Sequence, residues 1–229
     1  HRIADGITYL TTPAGEVPLK VFGKHNLMNL EAARRVCNLL GVSNADFYES
    51  ISTFNGAARR LEPLGRNSRA AVFKDFAHSP SKLKATTEAV RKQFPDFRLI
   101  ACMELHTFSS LNAAFLDEYA HSMDMADEAI VYFNAHTIEH KKLPPISVDQ
   151  VRKSFSRDNI TVIDTTDELK NYLDLIPKNY GFRAWTPNSS ARTASGAKPT
   201  NTRLHQKLYC GLGRQFPASS TRRELITIE

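Results

Sequence analysis

Three short segments carry residue types with a chemical reason to meet. In Gly23-Lys24-His25-Asn26-Leu27-Met28-Asn29-Leu30-Glu31-Ala32-Ala33, Asn26 and Asn29 are spaced so that both amides leave one side of a helix at its start. An amide supplies a donor and an acceptor together, which suits the edge of a purine ring. The competing use of Asn26 is as the cap of that helix. In Phe54-Asn55-Gly56-Ala57-Ala58-Arg59-Arg60-Leu61-Glu62, a glycine followed by paired arginines can hold out the Arg60 guanidinium as a fork for phosphate oxygens. In Lys74-Asp75-Phe76-Ala77-His78-Ser79-Pro80, Asp75 and His78 stand at the carboxyl end of a predicted strand. Open α/β sheets bind ligands outside such strand ends, whereas the plain alternative is that both side chains satisfy turn amides.

Two further segments are weaker. Glu104-Leu105-His106-Thr107-Phe108-Ser109 lies at another predicted strand end, so Glu104, His106 and Ser109 are candidate substrate contacts. His136-Thr137-Ile138-Glu139-His140 matches a zinc-peptidase pattern, but the Lys-Lys-Leu-Pro-Pro that follows argues for a surface loop and a chance match. No metal site is expected.

These residues need elements to hold them. Ile7–Leu10 and Val17–Phe22 flank a turn-rich stretch and predict a hairpin. A helix is predicted over Asn26–Leu40, with Leu30, Ala33, Cys37 and Leu40 on its buried face and Gly41 ending it. A second helix spans Ala45–Phe54, capped by Ser43 or Asn44. Asn55–Arg69 reads as a loop. From Ala70 onward strands and helices alternate. Strands fall at Ala70–Phe76, Arg98–Glu104, Ala129–Phe133 and Ile160–Ile163. Helices fall from Ser79-Pro80 to Phe94, at Leu111–Met123, and after the capping boxes Ser147-x-x-Gln150 and Thr165-x-x-Glu168. That alternation predicts right-handed βαβ units on a mostly parallel sheet.

Taken in order, the three segments resemble the Mur ligase family of ATP-dependent amide ligases that build peptidoglycan, with patterns HNxxNxxAA, FxGxxxRxE and DDYAHxP. Lys74 stands where many members carry a first Asp, and Phe76 where they carry Tyr. The likeness is nearest the muramate-recognising branch, and within it the members that join a murein tripeptide to UDP-N-acetylmuramate in wall recycling. The resemblance implies an α/β fold, a Rossmann-like, mostly parallel sheet flanked by helices. A hairpin-plus-helices remnant of a central ATPase domain would precede it. Residues 1–65 would end the central domain, 66–180 would form the C-terminal domain, and 181–229 a basic, non-native or disordered tail.

It also implies that His25, Asn26, Asn29, Arg60, Asp75 and His78 bind ATP. The two amides would sit at the adenine, Arg60 at the phosphates and Asp75 at the ribose, with Arg60 and Asp75 as the catalytic pair. The partners would be ATP, UDP-N-acetylmuramate and a murein peptide. Where members read EPRSNT this chain reads Glu104-Leu105-His106-Thr107-Phe108-Ser109, so peptide contacts do not transfer residue by residue. No G-x-x-x-x-G-K-[ST] loop is present. In the resembled enzymes that loop and the Mg²⁺ ligands precede the stretch matching His1, so the chain is expected to be part of a longer enzyme and inactive alone.

Composition bounds the alternatives. The 229 residues are 41% hydrophobic and 24% charged, ordinary for a globular protein. No apolar run approaches membrane-spanning length. Cys37, Cys102 and Cys210 form neither a disulfide framework nor a zinc spacing, which fits a reducing, cytoplasmic compartment. The net charge of +6 invites nucleic acid, but it is local. Residues 181–229 hold eight basic groups against two acidic ones, and residues 1–180 are neutral. Nucleic acid is therefore not the expected partner. A non-catalytic α/β nucleotide-binding domain and nucleic-acid binding through the tail remain the alternative functions. The change of composition near Gly181 predicts out-of-frame or foreign sequence beyond it. Sequencing the coding DNA across that junction should reveal a frame break. A single intact frame whose near relatives share the ending would refute this.

Overall fold

The computed structural model describes residues 1–66 and 70–172, together with the backbone of 224–228. The chain opens with an antiparallel sheet of β1 (Arg2–Ala4), β2 (Ile7–Thr12) and β3 (Gly15–Leu19). β1 was not expected from the sequence. Its signal is Asp5-Gly6, both at positive φ (52° and 70°), the two-residue turn that joins closely paired strands. Helix α1 (Lys24–Leu39) ends as predicted. Gly41 takes φ 88°, its N–H bonds the Asn38 carbonyl at 3.0 Å, and the Val42 N–H bonds that of Cys37 at 3.0 Å. Helix α2 (Asn44–Thr53) is capped by Ser43, whose hydroxyl accepts the Asp46 N–H at 3.2 Å.

The expected buried face of α1 is only half realised. Leu30 is buried and Cys37 partly so, whereas Ala33 is exposed and Leu40 is 79% exposed. The reason is that α2 and the hairpin cover only the Leu27–Leu30–Cys37 side.

The second sheet has the order β4 (Glu62–Arg66), β5 (Ala70–Lys74), β9 (Glu224–Ile228), β6 (Arg98–Leu105), β7 (Glu128–Phe133) and β8 (Ile160–Ile163). β4 runs antiparallel to β5, and every other pairing is parallel. The expected α/β architecture is present. β4 lies where a loop was predicted. An edge strand tolerates Pro63, and the register shifts between Pro63 and Gly65, so the residues that read as loop fit an edge.

Helix α3 (Pro80–Gln93) begins with Ser79 at the cap position and Pro80 in the first turn. On β6, Leu99, Ala101, Met103 and Leu105 meet α3 residues such as Leu83 and Val90. Ile100 and Cys102 face Leu169, in a helix over 166–172. Burial on both faces is what a strand inside a parallel sheet requires.

The helix predicted at Leu111–Met123 is broken. Asn112 caps α4 (Ala113–Leu116), a single 3₁₀ turn follows at Asp117–Tyr119, and His121 takes φ 61°. Tyr119 stacks on Phe155 at 5.2 Å and its hydroxyl donates to the His78 carbonyl at 2.6 Å. Meeting both partners takes the backbone off a continuous helix. Downstream, α5 spans Ala135–His140 and α6 spans Val148–Ser154. The predicted capping box at α6 is formed in both directions between Ser147 and Gln150.

The segment expected as a basic tail lies outside the described residues except for β9. Its backbone fills the slot between β5 and β6, with Ala70 opposite Glu224 and Arg98 opposite the same residue on the other side. Deleting 224–229 should therefore leave β5 and β6 each unpaired along the edge that faced β9 and split the sheet between them. The shortened chain is expected to lose its cooperative thermal transition by circular dichroism. An unchanged midpoint would show that β9 is not part of the stable sheet.

Candidate nucleotide site

The two parts of the chain meet at α1 and α3. Gly23, the residue before α1, takes φ 90°, and a methyl group there would come within 2.7 Å of the Ala89 Cβ on α3. Only glycine allows that approach without strain. Phe22 reinforces it, edge-on to Phe73 at 5.3 Å and to Phe94 at 5.8 Å, as does a buried 2.8 Å hydrogen bond from Thr8 to Gln93. The first turn of α1 is thereby held opposite the first turns of α3. Between them lies a cavity of about 350 Å³ lined by His25, Asn26, Asn29, Arg60 and Asp75, and by Ser81, Lys82, Ala85 and Thr86 of α3.

Asp75 directly follows β5 and is 7% exposed. One carboxylate oxygen accepts the Leu61 N–H at 2.7 Å and the other accepts the Thr86 hydroxyl at 3.3 Å. Phe76 N–H donates to the Arg59 carbonyl at 3.0 Å, and Glu62 accepts the Arg59 N–H at 2.8 Å. These bonds hold Arg59 and Leu61 at positive φ, 57° and 48°, a conformation that costs a non-glycine residue about 1–3 kcal/mol. Arg60, between them, is exposed and has no ion-pair partner among the described residues.

Asn26 is not the cap of α1, because the helix starts two residues earlier. Its Nδ2 donates to the Phe22 carbonyl at 2.9 Å, which leaves the Oδ1 acceptor available. Asn29 is exposed. His25 is partly buried and its Nδ1 has no hydrogen-bond partner. Burial holds its pKa below the ordinary 6.5, opposed by the Asp75 charge and assisted by that of Arg60.

His78, Glu104, His106 and Ser109 do not line this cavity. His78 and His106 both lie beside the Phe76 ring, at 4.7 and 5.9 Å, and each Nδ1 sits 3.3 Å from a carbonyl two residues back. That of His106 is the Glu104 carbonyl. The Ser109 hydroxyl pairs with Thr107 at 3.2 Å, inside a turn that Thr107 and Ser110 close between themselves. The His136–His140 segment is a helix and not the loop expected, because Asn134 caps it by accepting the His136 N–H at 2.8 Å. His136 and Glu139 stay largely exposed, and among the described residues no cluster of three or more metal-ligating side chains occurs.

Sequence reasoning missed Ser81, Lys82, Ala85 and Thr86. Their signal was the i, i+4 spacing within a helix that begins just after the Asp75 segment, with Lys82 adding a second cation near Arg60.

Fold and cavity together define an α/β protein with a polar cleft at strand and helix ends, paired with a smaller helical part. The family model for the Mur ligase glutamate ligase domain matches residues 59–179, and the chain belongs to that family. It is 34% identical over 164 residues to UDP-N-acetylmuramate–L-alanine ligase of Desulfitobacterium hafniense, covering 71% of this chain and 36% of that one. The chain spans about a third of the length of the curated relatives it matches. Two solved structures are similar in fold. UDP-N-acetylmuramate–alanine ligase of Thermotoga maritima has a TM-score of 0.56 at 15% identity, covering 93% of this chain and 35% of that one. Folylpolyglutamate synthase of Mycobacterium tuberculosis complexed with ADP has 0.53 at 18%, covering 78% and 40%.

Asp75→Asn should cost about 1–3 kcal/mol of stability, the worth of a buried charge-assisted hydrogen bond, read from the urea midpoint. An unchanged midpoint would remove Asp75 from the role of anchor. His25 resists protonation in the folded state, so the folded chain binds fewer protons than the unfolded one as pH falls below 6.5. Stability should therefore drop between pH 7 and 5 by more in the native chain than in His25→Gln. Parallel pH profiles would contradict this.

Proposed function

We propose that the chain is the nucleotide-gripping C-terminal part of an ATP-dependent amide ligase of peptidoglycan synthesis, acting on the carboxylate of UDP-N-acetylmuramate. One observation carries the reading. A single cavity collects Asn26, Asn29, Arg60 and Asp75, three motifs far apart in sequence. Their chemistry fits a nucleotide. The free Asn26 Oδ1 accepts from an adenine amino group, and Asn29 offers both donor and acceptor. Arg60 and Lys82 supply positive charge for phosphate oxygens. Asp75, anchored on two bonds, keeps lone pairs for a ribose hydroxyl.

In the reaction a muramate carboxylate oxygen attacks the terminal phosphorus of ATP, and the bond to ADP breaks. The amine then adds to the acyl phosphate carbon, loses a proton, and phosphate leaves. The contribution of this chain is to hold the nucleotide and to place cations near the charge that develops on the phosphoryl group. Mg²⁺, when bound, supplies further charge neutralisation. Among the described residues no cluster of three or more His, Cys, Asp or Glu side chains would hold it. The names of the curated relatives support L-alanine as the amine, in place of the murein tripeptide expected from the sequence. The ADP complex of the fold-related folylpolyglutamate synthase supports an adenine nucleotide as the ligand.

Calorimetry should show ADP and ATP binding to the intact chain. Asn29→Ala and Arg60→Ala are each expected to weaken it roughly tenfold or more, the effect of losing one such contact. A folded chain that binds neither nucleotide would defeat the proposal. Joined behind the preceding part of a longer relative, the chain should support ADP release that requires UDP-N-acetylmuramate and an amine. Comparing L-alanine with the tripeptide settles which amine is used.

A further inference from the structure

His25 lines the cavity with Asp75 and Arg60, yet it hydrogen-bonds none of the described residues. It stands in the first turn of α1, and its ring lies against the backbone just before that helix. A methyl group at Gly23 would come within 3.1 Å of the ring Cε1 and 3.4 Å of Nδ1. The glycine that lets α1 approach α3 therefore also seats this imidazole, and it covers the Nδ1 edge.

The two ring nitrogens are not equivalent. Nδ1 is shielded from solvent and has no hydrogen-bond partner. Nε2 has none either, but it is not shielded, so it is the nitrogen that opens on the cavity. The neutral ring carries one proton, and a buried N–H without a partner is rarer than an under-used acceptor. The proton therefore belongs on Nε2. A second proton, on Nδ1, would have nothing to bond, which keeps the ring neutral. His25 is thereby fixed as an uncharged donor.

Its neighbours decide what such a donor can meet. The ring is close enough to Asp75 and Arg60 to feel both charges. Arg60 and Lys82 are cationic donors, matched to phosphate oxygens. Asp75 is an acceptor, and each of its oxygens holds one bond, from Leu61 or from Thr86. A neutral donor beside a carboxylate is the complement of a hydroxyl group, whose oxygen accepts while its proton is given away.

We propose that the His25 Nε2–H and the Asp75 carboxylate bracket a hydroxyl of the nucleotide sugar, so that the site selects ribonucleotides over deoxyribonucleotides. His25 donates to the hydroxyl oxygen, and the hydroxyl donates to Asp75. This rests on the nucleotide reading above and gives His25 the sugar contact within it.

Calorimetry on the intact chain compares ADP with 2′-deoxy-ADP and 3′-deoxy-ADP. At least one deoxy analogue should bind about tenfold more weakly than ADP, the effect of losing one such group. His25→Asn removes the donor at the Nε2 position, whereas His25→Gln keeps an amide N–H there. His25→Asn should weaken ADP by a similar factor and leave that deoxy analogue unaffected, because the contact it removes is already missing. His25→Gln should recover most of the ADP affinity. Nitrogen NMR, with the His25 signal identified by its loss in His25→Asn, should show the proton on Nε2. Equal affinity of the native chain for ADP and both analogues would overturn the sugar contact and leave the nucleotide reading standing. A His25→Asn loss as large on the analogues as on ADP would do the same, as would a proton on Nδ1. A folded chain that binds no nucleotide would overturn both.

Discussion

The arrangement of the cavity depends on one carboxylate. Asp75 leaves the end of β5 and accepts the Leu61 amide, so the arginine loop is tied to the strand that carries the Asp75 segment. The loop needs that tie, because Arg59 and Leu61, left-handed non-glycine residues on either side of Arg60, would relax if released. Glu62 and the Phe76 amide close the same knot from the other side. The result is a guanidinium held out by backbone geometry and free of any ion pair among the described residues, available for a ligand and uncommitted to structure.

A second constraint sets the opposite wall. With a side chain at position 23, α1 and α3 would be pushed apart, and the amides of Asn26 and Asn29 would retreat from Lys82 and Thr86. Phe22 and Thr8 fasten the small part to the large one at the same point, through an aromatic cluster and a buried hydrogen bond. The cavity is therefore a product of the junction. Neither the hairpin-and-helix part nor the six-stranded sheet contains it.

The turn after β6 shows the contrary case. Thr107 and Ser110 satisfy each other's hydroxyl and amide groups, and Ser109 joins them. Polar residues at a strand end, which the sequence marks as candidates, here spend their hydrogen bonds on their own loop. His78 and His106 are likewise turned to backbone carbonyls and to the Phe76 ring. Position at a strand end favours a ligand contact in an open sheet, but it does not free the side chain to make one.

Much was legible beforehand, and the residues show why. Gly41, Ser43, Pro80 and the Ser147–Gln150 box act within a few residues of the chain, so local pattern suffices to place the ends of α1, α2, α3 and α6. The order of the three site segments and the alternation of strand and helix are also properties of the sequence alone. What it could not settle depended on distant partners. Tyr119 breaks a helix that its neighbours favour because Phe155 and the His78 carbonyl await it. Pro63 and Gly65 sit in a strand because β5 lies alongside, and Glu224–Ile228 enters the sheet because β5 and β6 leave room. The sequence by itself determined which polar and charged side chains stand in the three site segments. Only the tertiary structure decided which of them share a cavity, because convergence depends on long-range packing, on Gly23 against Ala89 and on Asp75 holding Leu61, and no local pattern encodes it.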